Sequence, residues 1–243
     1  MERAEWLKQM RDKAEKLYDL IAPQYWVDIG LHQDESTLKY LRNFLGRIPP
    51  HGNLLSAGCG AGRYDGVLLE AGHRVFGIDQ SEGMLARARE HFPEARYEKM
   101  TMQDLEFREE FDGAICIEAL EHVFPEDWPG IMRGFSNALK PGGVLYFTAD
   151  LAGGREKAAY ERAKAMGYPV VLGEVADQVE ELFEQMVESG GKAKTVDENV
   201  YHYCPPVEQV REWIEKAGMA IEEEEVRKEG GFYVVGYFVT RKV

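Results

Sequence analysis

Residues suited to chemistry cluster at a few places in this chain. Three glycines alternate in Gly58-Cys59-Gly60-Ala61-Gly62, directly after the short apolar run Asn53–Ala57. Glycines there let the backbone turn sharply and approach a ligand, and a helix starting just beyond offers free N–H groups to an anion. Asp79 closes the next apolar run, Arg74-Val75-Phe76-Gly77-Ile78. A carboxylate at that point can accept hydrogen bonds from both hydroxyls of a ribose. Further on, Glu118, Glu121 and His122 follow the run Phe111–Ile117. An imidazole there can take a proton near neutral pH, which makes His122 a candidate general base. At i, i+3 and i+4 of a helical turn the three would share a face, and two carboxylates with an imidazole could hold a divalent ion such as Mg²⁺. Finally, Tyr201-His202-Tyr203-Cys204-Pro205 places aromatic rings and a histidine before a late helix, where they could line an acceptor pocket.

The glycine spacing separates two ligand classes. A nicotinamide dinucleotide usually wants G-x-G-x-x-G for its pyrophosphate. Here the order is G-x-G-x-G, followed by Arg63. S-adenosylmethionine (SAM) has no pyrophosphate, and its anionic end is an amino-acid carboxylate, for which the tighter loop is sufficient.

These residues need a scaffold, and the pattern of the chain supplies one. Leu7, Met10, Ala14, Leu17, Tyr18 and Ile21 recur at helical spacing, and Pro23 is expected to end that helix. A second helix is expected over Glu35–Leu45. Strands then alternate with helices: Asn53–Ala57, helix Arg63–Ala71, Arg74–Ile78, a helix capped by Ser81 and running to His91, Arg96–Met100, Phe111–Ile117, helix Asp127–Leu139, and Val144–Thr148 after the turn Lys140-Pro141-Gly142-Gly143. Apolar rather than alternating strands mean a buried parallel sheet with helices on both faces. Charged helical stretches at Glu156–Met166 and Glu174–Ser189 read as a cap inserted after the fifth strand. Helix Pro206–Ala217 and an antiparallel pair, Met219–Val226 with Phe232–Arg241, complete the chain. The expected architecture is α/β and Rossmann-like: a seven-stranded, mostly parallel sheet with an antiparallel last strand. It divides into an N-terminal helical lid (1–50), a core (53–150), a helical cap (154–190) and a C-terminal part of the sheet (200–243), all in a single domain of 243 residues.

Composition narrows the function. The net charge is −14, which argues against a nucleic-acid partner, since phosphates are met by Lys and Arg. The acidic runs Glu106–Glu110 and Glu222–Glu225 read as solvated faces. No apolar run approaches the roughly 20 residues that cross a bilayer. The charged start of the chain lacks a signal core, and Cys59, Cys116 and Cys204 form no CxxC pair. The expectation is a cytoplasmic protein with a small-molecule partner.

The stretch Leu54–Tyr64 closely resembles motif I of the class I SAM-dependent methyltransferases. Val75–Met84 resembles the family's second strand and ribose-binding turn, Phe111–Val123 its motif IV, and Leu139–Leu145 the turn before its fifth strand. The resemblance covers about residues 53–150 and is nearest to the small-molecule type that includes the ubiquinone-pathway O-methyltransferases. It implies methyl transfer from SAM to a small acceptor, at oxygen or nitrogen. Gly58, Cys59 and Gly60 would face the methionine part, Asp79 the ribose, and Gln80, Thr101 and Met102 the adenine. The backbone of Ile117 would meet the amino group, and Tyr25 would close over the cofactor. Tyr201, His202 and Tyr203 would serve the acceptor. The Glu-x-x-Glu-His run occurs in relatives with and without Mg²⁺, so His122 is assigned as base and no metal is assigned. Two departures stand out: Ser56 and Thr101 occupy positions where the family commonly has an acid. They are the only support for an alternative, a SAM-binding regulator without turnover; a nicotinamide-dependent oxidoreductase is the other.

Overall fold

A computed structural model describes residues 1–175, 201–229 and 233–243 of the chain. Strands β1 (Asn53–Ala57), β2 (Arg74–Asp79), β3 (Arg96–Lys99), β4 (Phe111–Cys116), β5 (Leu139–Leu151), β8 (Met219–Glu229) and β9 (Tyr233–Lys242) form one sheet in the order β3-β2-β1-β4-β5-β9-β8. All pairings from β3 to β5 are parallel, and β9 runs antiparallel to both its neighbours. The apolar runs are buried because helices cover both faces. One face carries Leu55, Phe76, Phe111, Leu145 and Phe147 against Trp128, Phe135 and Trp213. The other carries Leu54, Val75, Ile115 and Tyr146 against Tyr40, Leu41, Phe44 and Leu68. The strand order reverses at β1, which pairs with β2 on one side and β4 on the other. Connections leave such a switch point in opposite directions and open a crevice at the carboxyl ends of the strands.

Helix α1 (Arg3–Tyr25) departs from the expectation that Pro23 ends it. Pro23 lies inside the helix, which runs on into a π-helical turn, Trp26–Gly30. A proline costs one N–H bond and strains one turn. Packing on both sides offsets this: Ala22 sits with Ala61 and Met84, and Trp26 stacks on His91 with ring centroids 3.8 Å apart. Helix α2 (Glu35–Leu45) begins as expected, with the Asp34 carboxylate accepting from the Thr37 amide at 2.8 Å.

Helix α3 (Asp65–Glu70) starts two residues later than its sequence pattern, because Gly62 has φ +83° and the chain must turn before it can coil. Ser81 caps helix α4 (Glu82–His91), its hydroxyl accepting from the Met84 amide. After helix α5 (Trp128–Ala138), Lys140-Pro141-Gly142-Gly143 does not precede β5 but belongs to it. Phe111 pairs with Leu139 and Gly113 with Val144, so the extra residues form a bulge in which Gly142 has φ +75°.

Beyond β5 come helix α6 (Arg155–Ala165), a small antiparallel pair β6 (Glu174–Val175) and β7 (His202–Tyr203), and helix α7 (Val207–Lys216). Glu174 and Val175 are therefore extended rather than helical. The remainder of the helix expected over Glu174–Ser189 lies outside the described residues. The acids Glu222–Glu225 are not a bare solvated face. On edge strand β8 they bond Arg47, Arg211, Arg241, Asn43 and Tyr40. Such a charged edge discourages pairing with another strand. Among the described residues no helix is long and apolar enough to cross a membrane.

Candidate active site

The glycine loop leaves β1 with Gly58, Gly60 and Gly62 all at positive φ (+64°, +53° and +83°). L residues with a side chain resist this conformation. A Cβ on Gly58 would stand 2.6 Å from that of Ala119, whereas one on Gly60 would meet nothing within 4 Å. Gly58 thus allows two loops to touch, and Gly60 leaves open space. The loop is pinned to β2 by the Cys59 amide, which donates to the Ile78 carbonyl at 3.0 Å. The Gly60 amide donates to Asp79 Oδ2 and the Ser81 amide to Asp79 Oδ1, both at 2.9 Å. Each carboxylate oxygen keeps a further lone pair for a ligand. Burial pushes the Asp79 carboxyl up, against these backbone bonds.

A cleft of about 620 Å³, counting its open mouth, lies at this switch point. Its walls are Gly58, Gly60, Asp79, Gln80, Thr101 and Met102, with Met84, Met100 and Ala119 as apolar surface and Tyr18, Tyr25, Glu118 and His122 at its other side. A second hollow of about 390 Å³ shares Tyr25, Gly58, Gly60 and Glu118 with it and continues along Ser56, Cys59, Arg63, Tyr64, Asp65 and Ile117. The expected residues Tyr25, Gly58, Cys59, Gly60, Asp79, Gln80, Thr101, Met102 and Ile117 are thereby brought to adjoining walls. Their manner of exposure differs. The Cys59 side chain packs with Leu85, Ala88, Tyr97 and Phe92, and its burial pushes the thiol well up. The Thr101 hydroxyl donates to Asp104 at 2.7 Å, and Gln103 donates to Asp127.

Glu118, Glu121 and His122 do not share a helical face. Glu118 has φ +51°, which breaks the turn, and only Leu120–His122 coil as a 3₁₀ segment. The Glu118 carboxylate accepts from the Tyr64 hydroxyl at 2.9 Å and pairs with Arg63. His122 points the other way, toward Tyr18 and Tyr201. Among the described residues no three His, Cys, Asp or Glu side chains are grouped to hold a metal ion.

Tyr201 and Tyr203 do not line the cleft. Both are buried, because β7 turns them into the core: the Tyr201 ring packs edge-on against Trp6 and Phe124, and its hydroxyl donates to Glu174 at 2.6 Å. His202 is half-buried, edge-on to His122 with ring centroids 4.8 Å apart. Of the other two, Tyr201 reaches a cleft residue only through its backbone carbonyl, 3.1 Å from His122 Nδ1.

The sequence reading missed several wall residues. Tyr18 lies two helical turns before Tyr25, so the i, i+7 spacing alone could have paired them on one face of α1. Asp19 next to it accepts from the Ser81 hydroxyl at 2.6 Å and the Gly83 amide at 2.9 Å, docking α1 on the turn after β2. Burial alone would raise the Asp19 carboxyl, and these two bonds hold it below its ordinary range. Asp65 is buried under the second hollow, bonded to Ser56 and to the Tyr97 hydroxyl, and burial pushes its carboxyl up to about 6. It places a carboxylate beside the position where Ser56 lacks one.

Residues 55–147, which hold the loop, Asp79 and the β4 turn, match the family model described as a methyltransferase domain. Over that segment the chain is similar to SAM-dependent methyltransferases. The chain is 37% identical over 101 residues to the ubiquinone biosynthesis O-methyltransferase of Pseudomonas syringae pv. tomato. That match covers 39% of this chain and 43% of the relative, so less than half of that enzyme's length is shared. Among solved structures, the chain is similar to the 1,6-didemethyltoxoflavin-N1-methyltransferase of Burkholderia thailandensis, solved with bound 1,6-didemethyltoxoflavin and S-adenosylhomocysteine. The TM-score is 0.67 at 18% identity, covering 100% of this chain and 91% of that one. A SAM-dependent methyltransferase from Methanosarcina mazei aligns with a TM-score of 0.65 at 18% identity, covering 82% and 95%. At these identities the structural matches speak for the fold.

Proposed function

We propose that the chain transfers the methyl group of SAM to an oxygen or nitrogen of a small-molecule acceptor. The observation that carries this reading is the cleft at the switch point, where the glycine loop and Asp79 meet the half-buried groups Tyr18 and His122. The residues fit the donor. Gly58, Cys59 and Gly60 present backbone where a methionine tail would pass, and Asp79 has lone pairs for two ribose hydroxyls. Gln80, Thr101 and Met102 offer an adenine a mixed polar and apolar wall. Ile117 and Asp65 border the second hollow, where an amino group would be met, and Tyr25 closes the shared wall.

The donor's methyl group is already activated by the positive sulfur, so the protein's task is alignment and removal of the acceptor's proton. His122 serves that second task. His202 stands beside it, while Tyr201 and Tyr203 support the region from the core. A small acceptor agrees with the relatives: one is named for O-methylation in ubiquinone biosynthesis, another was solved with a small heterocycle. The net charge of −14 supports a partner other than nucleic acid. Cys59 and Cys116 are free thiols, which supports a reducing compartment such as the cytoplasm.

The test is transfer of label from methyl-tritiated SAM to a panel of phenols, catechols and heterocyclic amines. Labelled product from at least one acceptor is expected. A folded protein that binds no SAM overturns the reading.

A further inference from the structure

His122 lines the cleft, but both of its ring nitrogens are already engaged. Its Nδ1 lies 3.1 Å from the Tyr201 carbonyl oxygen, and its Nε2 lies 2.7 Å from the Tyr18 hydroxyl. A carbonyl only accepts, so Nδ1 carries the ring hydrogen. Burial disfavours the imidazolium, so the ring is neutral near pH 7 and Nε2 is a lone pair. The Tyr18 hydroxyl must then be the donor in the short contact. The lone pair expected to receive the acceptor's proton is already engaged, and the oxygen left facing the cleft is that of Tyr18.

We infer that Tyr18 is the catalytic group that meets the acceptor's hydroxyl, and that His122 acts through it as the final proton acceptor. This rests on the methyl-transfer reading above. The acceptor O–H gives its proton to Tyr18 Oη as the Tyr18 proton passes to His122 Nε2. The acceptor oxygen bonds the methyl carbon, and the breaking carbon–sulfur bond leaves its electron pair on sulfur. The imidazolium keeps its Nδ1–H bond to Tyr201 and returns the proton to solvent after product leaves.

The surroundings favour a relay over a free phenolate. Burial, then the neighbouring Tyr25, Glu121, Asp79 and Glu118, hold the Tyr18 phenol well above its ordinary range. Tyr18 therefore gives up its proton only as it receives another. Glu121 approaches His122 Nε2 at 4.0 Å, and His202 lies edge-on to the ring. Tyr18 stands on α1 next to Asp19, whose bonds to Ser81 and Gly83 seat the helix, so the dyad is complete only when α1 is docked.

Two measurements decide this. Nitrogen-15 NMR of the histidines, with S-adenosylhomocysteine bound, should show His122 as the neutral Nδ1–H tautomer, and its pKa should rise in Tyr18→Phe, which removes a donor to the neutral ring. An Nε2–H tautomer overturns the dyad. Kinetics with SAM and 4-nitrocatechol form the second arm. Tyr18→Phe and His122→Gln should each lower kcat about a hundredfold, with KM for SAM within about threefold of wild type, and the double variant should be no worse than either. Losses that multiply, or a Tyr18→Phe enzyme with half its kcat, overturn the relay. Wild-type protein that binds SAM yet leaves 4-nitrocatechol unmethylated counts against an oxygen acceptor, while the tautomer still decides the dyad.

Discussion

The Gly60 amide donates to Asp79 Oδ2 across 2.9 Å, tying the glycine loop after β1 to the carboxylate that ends β2. Two residues nineteen apart in sequence thus form one rigid corner. Positive φ at Gly58 and Gly60 aims the backbone at the cleft, and Asp79 sets the loop's position against the neighbouring strand. Most of the site's expected behaviour follows from this corner.

Replacing Gly58 tests the backbone's part. Gly58→Ala puts a methyl group 2.6 Å from the Ala119 Cβ and forces an L residue to φ +64°. The left-handed conformation alone costs about 1–2 kcal/mol. The variant should unfold at lower temperature and bind S-adenosylhomocysteine at least tenfold more weakly. Gly130→Ala, a helical position with nothing within 4 Å of the added carbon, should leave binding unchanged. Calorimetry on both proteins checks this pair.

Asp19 tests the helix lid. Its carboxylate holds Ser81 and Gly83 from α1. It is exposed, so Asp19→Ala should change global stability little. Proteolysis near Tyr18 and Tyr25 should quicken, and bound S-adenosylhomocysteine should slow it again. Equal cleavage rates in wild type and variant would show that Asp19 does not seat the helix.

Asp65 predicts a pH effect. Burial raises its folded carboxyl to about 6, above an unfolded value near 3.8. Between those values the folded state keeps a proton that the unfolded state has lost, so stability falls as pH rises through that window and levels off above about 6. Asp65→Asn removes this dependence. The Tm of wild type relative to the variant should therefore drop between pH 4.5 and pH 7, and a constant difference would exclude the raised carboxyl.

The fold was legible because burial on both faces writes continuous apolar strands, and because Ser81 and Gly62 punctuate them. Asp79 and the loop were legible for the same reason: type, spacing and strand end coincide. Pro23 misled because a local rule met tertiary packing at Ala22 and Trp26. The one-face reading of Glu118, Glu121 and His122 failed at a single backbone angle, the left-handed φ of Glu118, which helical spacing does not encode. Tyr201 and Tyr203 looked like pocket residues by type, but β7 pairs with β6 and turns them inward. Tyr18 and Asp65 act across long sequence separations, toward His122 and Tyr97, and only the fold brings those partners together.

The measurement closest to the central claim is a calorimetric titration of S-adenosylhomocysteine into wild type and Asp79→Ala. The corner predicts one site per chain and an affinity about ten- to hundredfold weaker in the variant, the loss expected for removing hydrogen bonds to a charged group. Equal affinity in the two folded proteins, or no binding by wild type, would contradict it.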